Sequence, residues 1–274
     1  MRTKAIVVGG SRGFGMNIVE ELAIRGCDIG IISRTYTDMF ALKKYIIEPY
    51  GVDVFIEVAD ISDENENKRA ILSLIEKLHG VDICIFNAVY TNRYDIVETD
   101  DVDILSENLR KSLNTNVISV LDGIQYVCAY ARNNKSPLKI GIVSSHVIRS
   151  HIPWHISYVI SKDAVNTYVC MTREWLRKYN ITITMFFPGY LDQIKHLFRS
   201  KPCKMDVRDS AKWFIDDLCN GVDISHTRSL FWKLHYMFAP YYPMDCLSNF
   251  FDSPTHMANT IEMIIKKLET IVNI

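Results

Sequence analysis

The sequence predicts a doubly wound α/β fold, in which helices cover both faces of one parallel sheet. Short runs rich in β-branched residues alternate with longer segments of helical periodicity as far as about residue 221. The short runs are apolar throughout, which is typical of strands that are buried on both faces. A chain of 274 residues can bury one large core, so we expect a single domain over residues 1–274.

Strands and helices alternate strictly along this part of the chain. The predicted strands are KAIVVGG, DIGIIS, VDVFIEVAD, VDICIFN, KIGIVSS and ITITMFF. The predicted helices cover 13–26, 37–48, 63–79, about 100–132, about 155–179 and 207–221. This alternation indicates a Rossmann-type sheet.

The C-terminal part has a different composition. Residues 226–256 are rich in aromatic residues and prolines, and an amphipathic helix is predicted for about 257–272. We interpret about 190–256 as a substrate lid with a C-terminal extension. A membrane-touching surface and an oligomer contact are alternatives that the sequence leaves open.

The composition favours a small-molecule partner. The 31 basic and 32 acidic residues nearly cancel, so no overall field favours nucleic acid. Seven scattered cysteines without CxxC spacing fit neither a disulfide framework nor a zinc site, and they favour a reducing, cytoplasmic location. His146, His151 and His155 have no carboxylate or cysteine at ligand spacing, so no metal site is expected. We also expect no membrane-spanning helix.

The segment VVGGSRGFG, between the first strand and the first helix, predicts a phosphate-binding turn. Gly9, Gly13 and Gly15 allow a tight turn in which backbone N–H groups and the helix N-terminus reach a pyrophosphate. A glycine cluster by itself also fits an ordinary βα turn. The strand before it and the helix after it favour a dinucleotide site.

The end of the second strand favours NADP(H) over NAD(H). An acidic side chain there would accept a hydrogen bond from the ribose 2′-hydroxyl of NAD, but the sequence IISRT offers Ser33 and Arg34 instead. Arg34, helped by Arg12, would pair with the 2′-phosphate of NADP. The alternative is that both arginines are solvated surface residues.

From residue 4 to about 221 the chain resembles the short-chain dehydrogenase/reductase family, in its shorter branch. The glycine turn has that branch's GxxxGxG spacing, and YVISK places Tyr158 and Lys162 one helical turn apart on one face. Ser145 precedes Tyr158 by the family's interval of thirteen residues, and Asn116 of LNTNV resembles the asparagine that kinks the family's central helix. The family also has a Pro-Gly element after the sixth strand.

The resemblance implies a catalytic set and a row of cofactor contacts. The catalytic set is Asn116, Ser145, Tyr158 and Lys162. With the glycine turn and the end of the second strand included, the predicted cofactor contacts are Gly9, Ser11, Arg12, Gly13, Phe14, Gly15, Ser33, Arg34, Asp60, Ile61, Asn87, Ala88, Tyr158, Lys162, Pro188, Gly189 and Leu191.

These residues predict an NADP(H)-dependent oxidoreductase that transfers a hydride between the nicotinamide and a carbonyl or alcohol. A free phenol has a pKa near 10, and we expect the ammonium of Lys162 to lower the pKa of Tyr158 toward the working range. Ser145 would hydrogen-bond the substrate oxygen. By resemblance, Lys162 also holds the nicotinamide ribose and Asn116 holds a water near the lysine.

The substrate and the assembly are less closely defined. Ile148, Ile152, Trp154 and the aromatic segment 230–251 favour an apolar or amphipathic substrate, with burial in the core as the alternative. An epimerase or dehydratase and a non-catalytic NADP-binding regulatory protein are the alternative functions. The resemblance implies a homodimer or homotetramer, and the aromatic segment is a candidate for peripheral membrane contact.

Overall fold

The computed structural model describes residues 2–91, 102–149, 155–191, 204–226 and 228. The strands within these ranges are β1 (Lys4–Val8), β2 (Asp28–Ser33), β3 (Val54–Val58), β4 (Ile83–Phe86), β5 (Leu138–Val143), β6 (Ile181–Phe187), β7 (Tyr190–Leu191), β8 (Lys204–Met205) and β9 (Ile224–His226). Seven of them form a sheet in the order β3-β2-β1-β4-β5-β6-β9, and all neighbours are parallel. The predicted Rossmann-type α/β fold is confirmed.

The described helices are α1 (Gly13–Ile24), α2 (Tyr36–Tyr50), α3 (Glu64–Lys77), α4 (Val102–Leu113), α5 (Ser119–Asn134), α6 (Ile156–Arg177) and α7 (Val207–Cys219). The helix predicted for about 100–132 is divided by a π-helical turn at Asn114–Ile118, which separates α4 from α5. Aspartates cap α3 and α7, since the carboxylates of Asp63 and Asp206 accept hydrogen bonds from backbone N–H groups of the first turn.

Alternate residues of the strands face two separate cores. On β6, Ile183, Met185 and Phe187 belong to the core beneath α3, α5 and α6. Phe186 belongs to the opposite core, where it stacks on Phe14 of α1 and Phe214 of α7 with centroid distances of 5.5 and 4.9 Å. Because successive strand residues point to opposite faces, one apolar run supplies both cores.

The structure adds three short strands that were not predicted. β7 and β8 form a separate two-residue parallel pair, and β9 extends the sheet beside β6. These strands have two or three residues each, too few for a recognisable period. Within the interpreted lid, about 190–256, the described residues form β7, β8, α7 and β9. The rest of that range, the helix predicted for about 257–272 and the loop residues His151, Ile152 and Trp154 lie outside the described residues. No helix in the described ranges is long and apolar enough to cross a membrane.

Candidate active site

The carboxyl ends of β1, β4, β5 and β6 lie side by side at one edge of the sheet. Chain connection reverses between β1 and β4, because β2 and β3 lie on one side of β1 and β4 to β6 on the other. Ligands of open parallel sheets bind in the crevice outside such a reversal. The residues predicted for the cofactor and for the chemistry follow these strands.

The glycine turn is packed so closely that side chains are excluded. Gly9 has a φ of +82°, and a Cβ there would lie 2.5 Å from the backbone nitrogen of Ala88. A Cβ at Gly15 would lie 2.0 Å from the carbonyl oxygen of Gly9. Asn87 closes the arrangement, since its Nδ2 donates to the Gly9 carbonyl at 2.8 Å. The turn leads directly into α1. The unpaired backbone N–H groups of the first helical turn are suited to bind a pyrophosphate.

Four of the predicted contact residues have largely structural side chains. The hydroxyls of Ser11 and Ser33 lie 2.7 Å apart and join the turn to the end of β2. Phe14 and Ile61 are 6% and 8% exposed and belong to the two cores. For these two residues, only the backbone remains for a bound nucleotide, and this was not evident from the sequence.

The charged residues at the end of β2 and β3 are exposed. Arg34 Nη1 lies 3.9 Å from Asp60 Oδ2, with side-chain exposures of 67% and 46%. Burial tends to raise the pKa of Asp60, but hydrogen bonds from Ser62 and the charge of Arg34 outweigh it and lower the pKa. Arg12 is exposed at the N-cap of α1. The exposed guanidiniums suit a phosphate ester.

Ser145, Tyr158 and Lys162 come together at the end of β5. The side-chain hydroxyl of Ser145 is close enough to the Tyr158 hydroxyl to favour the phenolate and lower the pKa of Tyr158. Lys162 Nζ lies 5.9 Å from the centroid of the Tyr158 ring and donates to the carbonyl of Val143 at 2.7 Å. Lys162 is only 7% exposed. The predicted spacing on one helix face thus brings the phenol and the amine to the same hydroxyl-bearing strand end.

Burial acts on both titratable groups of this cluster. It raises the pKa of Tyr158, and the hydrogen bond from Ser145 offsets only part of this effect. It lowers the pKa of Lys162 to about 8. The direction for Tyr158 is opposite to the sequence-based expectation that the ammonium lowers the phenol pKa. The physical reason is that burial disfavours the phenolate as well as the ammonium.

Asn116 lies in the π-helical turn and holds three segments together. Its Oδ1 accepts from the backbone N–H of Tyr90 at 2.7 Å, and its Nδ2 donates to the Tyr90 carbonyl at 2.8 Å and to Ser161 Oγ at 2.9 Å. Ser161 Oγ donates to the carbonyl of Tyr158 at 2.7 Å. The helix is therefore interrupted at Asn116, whose side chain links the β4 loop to α6. π-Helical turns are often found at functional sites.

The residues after β6 form the far side of the crevice. Pro188 is buried and Gly189 is partly buried immediately after β6, and Leu191 of β7 packs against the core that contains α1, α2 and α7. They follow the strand as the sequence predicted. Their contacts with a nucleotide stay a prediction.

Aromatic rings pack against His146, which follows Ser145 in the chain, and against Tyr158. His146 is 2% exposed, and its ring lies 6.5 Å from Phe187 and 5.4 Å from His226. His155 meets the edge of Tyr158 at 6.4 Å. Ile148, expected beside the substrate, is 6% exposed and packs in the core instead. In the described parts of the chain no three His, Cys, Asp or Glu side chains are placed to hold a metal.

Sequence reasoning missed Tyr90, Ser144 and Ser161. The role of Tyr90 depends on its backbone, for which no side-chain signal exists. Ser161 lies three residues after Tyr158, on the same helix face, and this spacing was a usable signal. Ser144 continues the row of β5 residues that faces the α5 and α6 side, and the strand period was the available signal.

With the geometry described, comparison with known proteins defines the class. The family model described as short chain dehydrogenase matches residues 3–199. The chain belongs to the short chain dehydrogenase family, whose members are oxidoreductases that use nicotinamide nucleotides.

Among its relatives, general stress protein 39 of Bacillus subtilis is 24% identical over 185 residues, which cover 68% of this chain and 62% of that protein. The hydroxysteroid 11-beta-dehydrogenase 1-like protein of Xenopus tropicalis is 23% identical over 192 residues, or 69% and 65% of the two chains. The 3-oxoacyl-(acyl-carrier-protein) reductase FabG of Staphylococcus aureus is 26% identical over 196 residues, or 70% and 75%. The match spans less than two thirds of the first two relatives.

Proposed function

We propose that the protein is an NADP(H)-dependent oxidoreductase that interconverts a carbonyl and an alcohol on a small substrate. The observation that carries this proposal is the proximity of the Ser145 and Tyr158 hydroxyls beside the buried Lys162. A hydroxyl donor, a proton-transferring phenol and a cation in one crevice are the groups that carbonyl reduction requires.

Each residue of the cluster has a distinct part. A bound nicotinamide nucleotide supplies or accepts the hydride. Tyr158 gives a proton to the substrate oxygen or takes one from it, and Ser145 hydrogen-bonds that oxygen as negative charge develops. Lys162, with one N–H on the Val143 carbonyl, has donors left for a ribose hydroxyl. Asn116 fixes the backbone on both sides of the site through Tyr90 and Ser161.

We propose NADP(H) over NAD(H) as the cofactor. Support comes from two exposed guanidiniums, Arg12 and Arg34, at the adenosine end of the crevice. The hydroxyl of Ser33 is held by Ser11 where an acidic side chain would otherwise meet the ribose. A 2′-phosphate would replace water and the weak contact to Asp60 as the partner of Arg34. The glycine turn excludes side chains in the manner that a pyrophosphate needs.

For the substrate we propose an apolar or amphipathic carbonyl compound. The rings of His146, Phe187 and His226 form one aromatic cluster, and His146 directly follows Ser145 in the chain. Two relatives are named for amphipathic substrates, a hydroxysteroid and a 3-oxoacyl chain on a carrier protein. We further propose that residues 1–274 form one domain. About 190–256 would serve as its substrate lid and C-terminal extension, apart from α7 and β9, which belong to the core and to the main sheet.

We also propose a homodimer or homotetramer in the cytoplasm. Ile160, Met171 and Trp175 of α6 are 45%, 80% and 46% exposed, and Ile118 of the π turn is 52% exposed. Large apolar side chains on a helix surface favour a subunit contact. The described cysteines have free thiols, which fits a reducing compartment.

The proposal is tested by incubating the protein with NADPH and a panel of carbonyl compounds while following NADPH absorbance and product formation. Net NADPH oxidation with formation of an alcohol is the expected result. Product change without net NADPH oxidation would instead identify an epimerase or dehydratase. Tight NADPH binding with neither change across steroid, acyl and sugar carbonyls would identify a regulatory protein.

A further inference from the structure

The side chain of Tyr90 makes a contact that is separate from its backbone contacts to Asn116. Its phenolic hydroxyl donates a hydrogen bond to Oδ1 of Asn108 at 3.1 Å. Tyr90 lies in the loop that follows β4, and Asn108 lies in α4, two turns before Asn116. The backbone N–H and carbonyl of Tyr90 are both bonded to Asn116. This one loop residue therefore contacts the helix at two places, eight residues apart, on either side of the start of the π-helical turn.

Asn108 is a polar residue at a buried position of α4. Asn108, Ser112 and Asn116 follow one another at intervals of four residues, and each is at most 5% exposed. Nδ2 of Asn108 has no hydrogen-bond partner in the described part of the chain, which leaves the bond from Tyr90 to Oδ1. Leaving a buried carbonyl oxygen without a donor is destabilising, so this bond is important for how α4 packs.

The loop that carries Tyr90 connects the two halves of the crevice. At its start, the side chain of Asn87 donates to the carbonyl of Gly9 in the glycine turn. At its end, the backbone of Tyr90 holds Asn116, whose Nδ2 also donates to Ser161 Oγ. Ser161 in turn donates to the carbonyl of Tyr158. A displacement of Tyr90 would therefore reach the helix turn that carries the phenol of the site.

We propose that the phenol of Tyr90 braces the π-helical turn, and that Tyr90 and Asn108 are positioning residues for the catalytic cluster. The hydroxyl fixes the loop to α4, and the loop backbone fixes Asn116 and, through it, Ser161 and α6. The bracing of the turn stands on the hydrogen bonds alone. Only the effect on turnover rests on the proposed function.

The position of the brace explains why a side-chain hydroxyl is needed in addition to the backbone bonds. A π-helical turn is rare, and its backbone departs from the α-helical ladder at Asn114–Ile118. Val89, just before Tyr90, is 45% exposed and offers the loop little packing. The loop is thus held near the turn by polar contacts, and the bond to Asn108 is the one that ties it to the regular part of α4.

The test follows hydrogen exchange of the Asn116 side-chain amide by NMR in the protein without nucleotide. Both N–H bonds of this amide are occupied, so its exchange reports whether the turn and the loop stay together. In Tyr90→Phe, which keeps the ring and the backbone, exchange should become about three- to tenfold faster, the factor that one hydrogen bond is worth. Asn108→Leu should give a similar increase, and the double variant should exceed neither single variant by more than about twofold.

The chain offers an internal reference and a matched control variant. The side-chain amide of Asn67 is also buried and donates to the Ser119 carbonyl at 2.8 Å. Its exchange should not change in Tyr90→Phe, which separates a local loss from a general loss of stability. Tyr130→Phe is the control, because this half-buried tyrosine of α5 has its hydroxyl beside Gly80, at the opposite edge of the sheet. It should leave the Asn116 amide unchanged.

Unchanged Asn116 exchange in Tyr90→Phe, or an equal acceleration at Asn67, would overturn the brace. Neither result needs turnover, so an inactive wild-type protein would overturn the proposed function and leave the brace standing. With a substrate in hand, Tyr90→Phe should lower kcat per folded molecule by about three- to tenfold and change the KM for the carbonyl by less than about twofold, because alignment is lost and binding is not. An unchanged kcat would overturn the positioning role.

Discussion

The two halves of the crevice use charge in opposite ways. At the half proposed for the nucleotide, Arg34 and Asp60 have side-chain exposures of 67% and 46%. At the half that carries the proposed chemistry, Lys162 is 7% exposed. No carboxylate lines the small cavity that Lys162 shares with Asn116 and Ser144. An exposed charge keeps its ionisation and is available for recognition, whereas a buried charge has a shifted pKa.

The difference follows from how each half is built. The exposed pair of Arg34 and Asp60, at 3.9 Å, contributes at most about 1 kcal/mol, so the proposed 2′-phosphate would displace it easily. The buried half instead holds its groups by short hydrogen bonds to backbone, as at Asn116 and Lys162. Under the proposed function, nucleotide recognition therefore depends on accessible charge, and the proton transfer depends on fixed, desolvated groups.

The largest expected effect lies in the buried half. Tyr158→Phe should lower kcat/KM for the carbonyl substrate by about 100- to 10,000-fold, because general acid catalysis contributes that much. NADPH affinity, measured by fluorescence titration, should change little. Tyr168→Phe, a partly buried tyrosine of the same helix that packs against the core, is the control and should retain turnover. Near-normal activity of Tyr158→Phe would remove the proposed role of the phenol.

In the exposed half, Arg34→Ser should discriminate between the two nucleotides. We expect the Kd for NADPH to rise by roughly 10- to 100-fold, because a hydrogen bond between charged groups is lost, while the Kd for NADH changes by less than about twofold. The measurement is calorimetric titration with each nucleotide, and Arg208→Ser on the surface of α7 is the control. Equal weakening of both nucleotides would contradict the assignment of Arg34 to the 2′-phosphate.

The buried ammonium should also appear in the pH dependence of stability. The pKa of Lys162 is about 8 in the folded protein and near 10.4 in an unfolded chain. Below pH 8 both states hold the proton, and the folded state bears the cost of burying it. Between these pKa values the unfolded state binds more protons, so this contribution to the free energy of unfolding rises with pH.

Lys162→Met abolishes that dependence. From pH 7 to 9.5, the stability of the wild type relative to Lys162→Met should rise by about 2 kcal/mol in urea denaturation without nucleotide. The raised pKa of Tyr158 acts in the opposite direction only above pH 10, since there the unfolded phenol ionises first. Lys212→Met, at an exposed position of α7, is the control. A pH-independent difference between wild type and Lys162→Met would show that the ammonium is not desolvated.

The smallest effect concerns Phe86, which lines the small cavity beside Lys162. A Cβ at Gly123 of α5 would lie 2.4 Å from Cε1 of the Phe86 ring, which is 3% exposed. Overpacking costs about 1–3 kcal/mol, and the higher helix propensity of alanine offsets about 1 kcal/mol. Gly123→Ala should therefore lower the free energy of unfolding by about 1 kcal/mol. In a Phe86→Leu background the loss should disappear, and an equal loss in both backgrounds would exclude the ring contact as its cause.

Much of the fold and part of the site could be predicted from the sequence. The bounds of β2 and of the start of α1 agree with the prediction to the residue, because apolar runs and glycines mark them locally. The proximity of Ser145, Tyr158 and Lys162 followed from helix spacing and family resemblance. The structural side chains of Phe14 and Ile61 did not, because their burial depends on residues far away in the chain.

By itself, the sequence determined the alternation of strands and helices, the place of the glycine turn and the pairing of phenol and amine on one helix face. These depend on local spacing, which the chain carries directly. Only the tertiary structure decided that burial raises the pKa of Tyr158, that both N–H bonds of Asn116 are occupied, and that Ser144 faces a cavity beside Lys162. Desolvation and hydrogen-bond partners arise from non-local neighbours, which spacing along the chain does not specify.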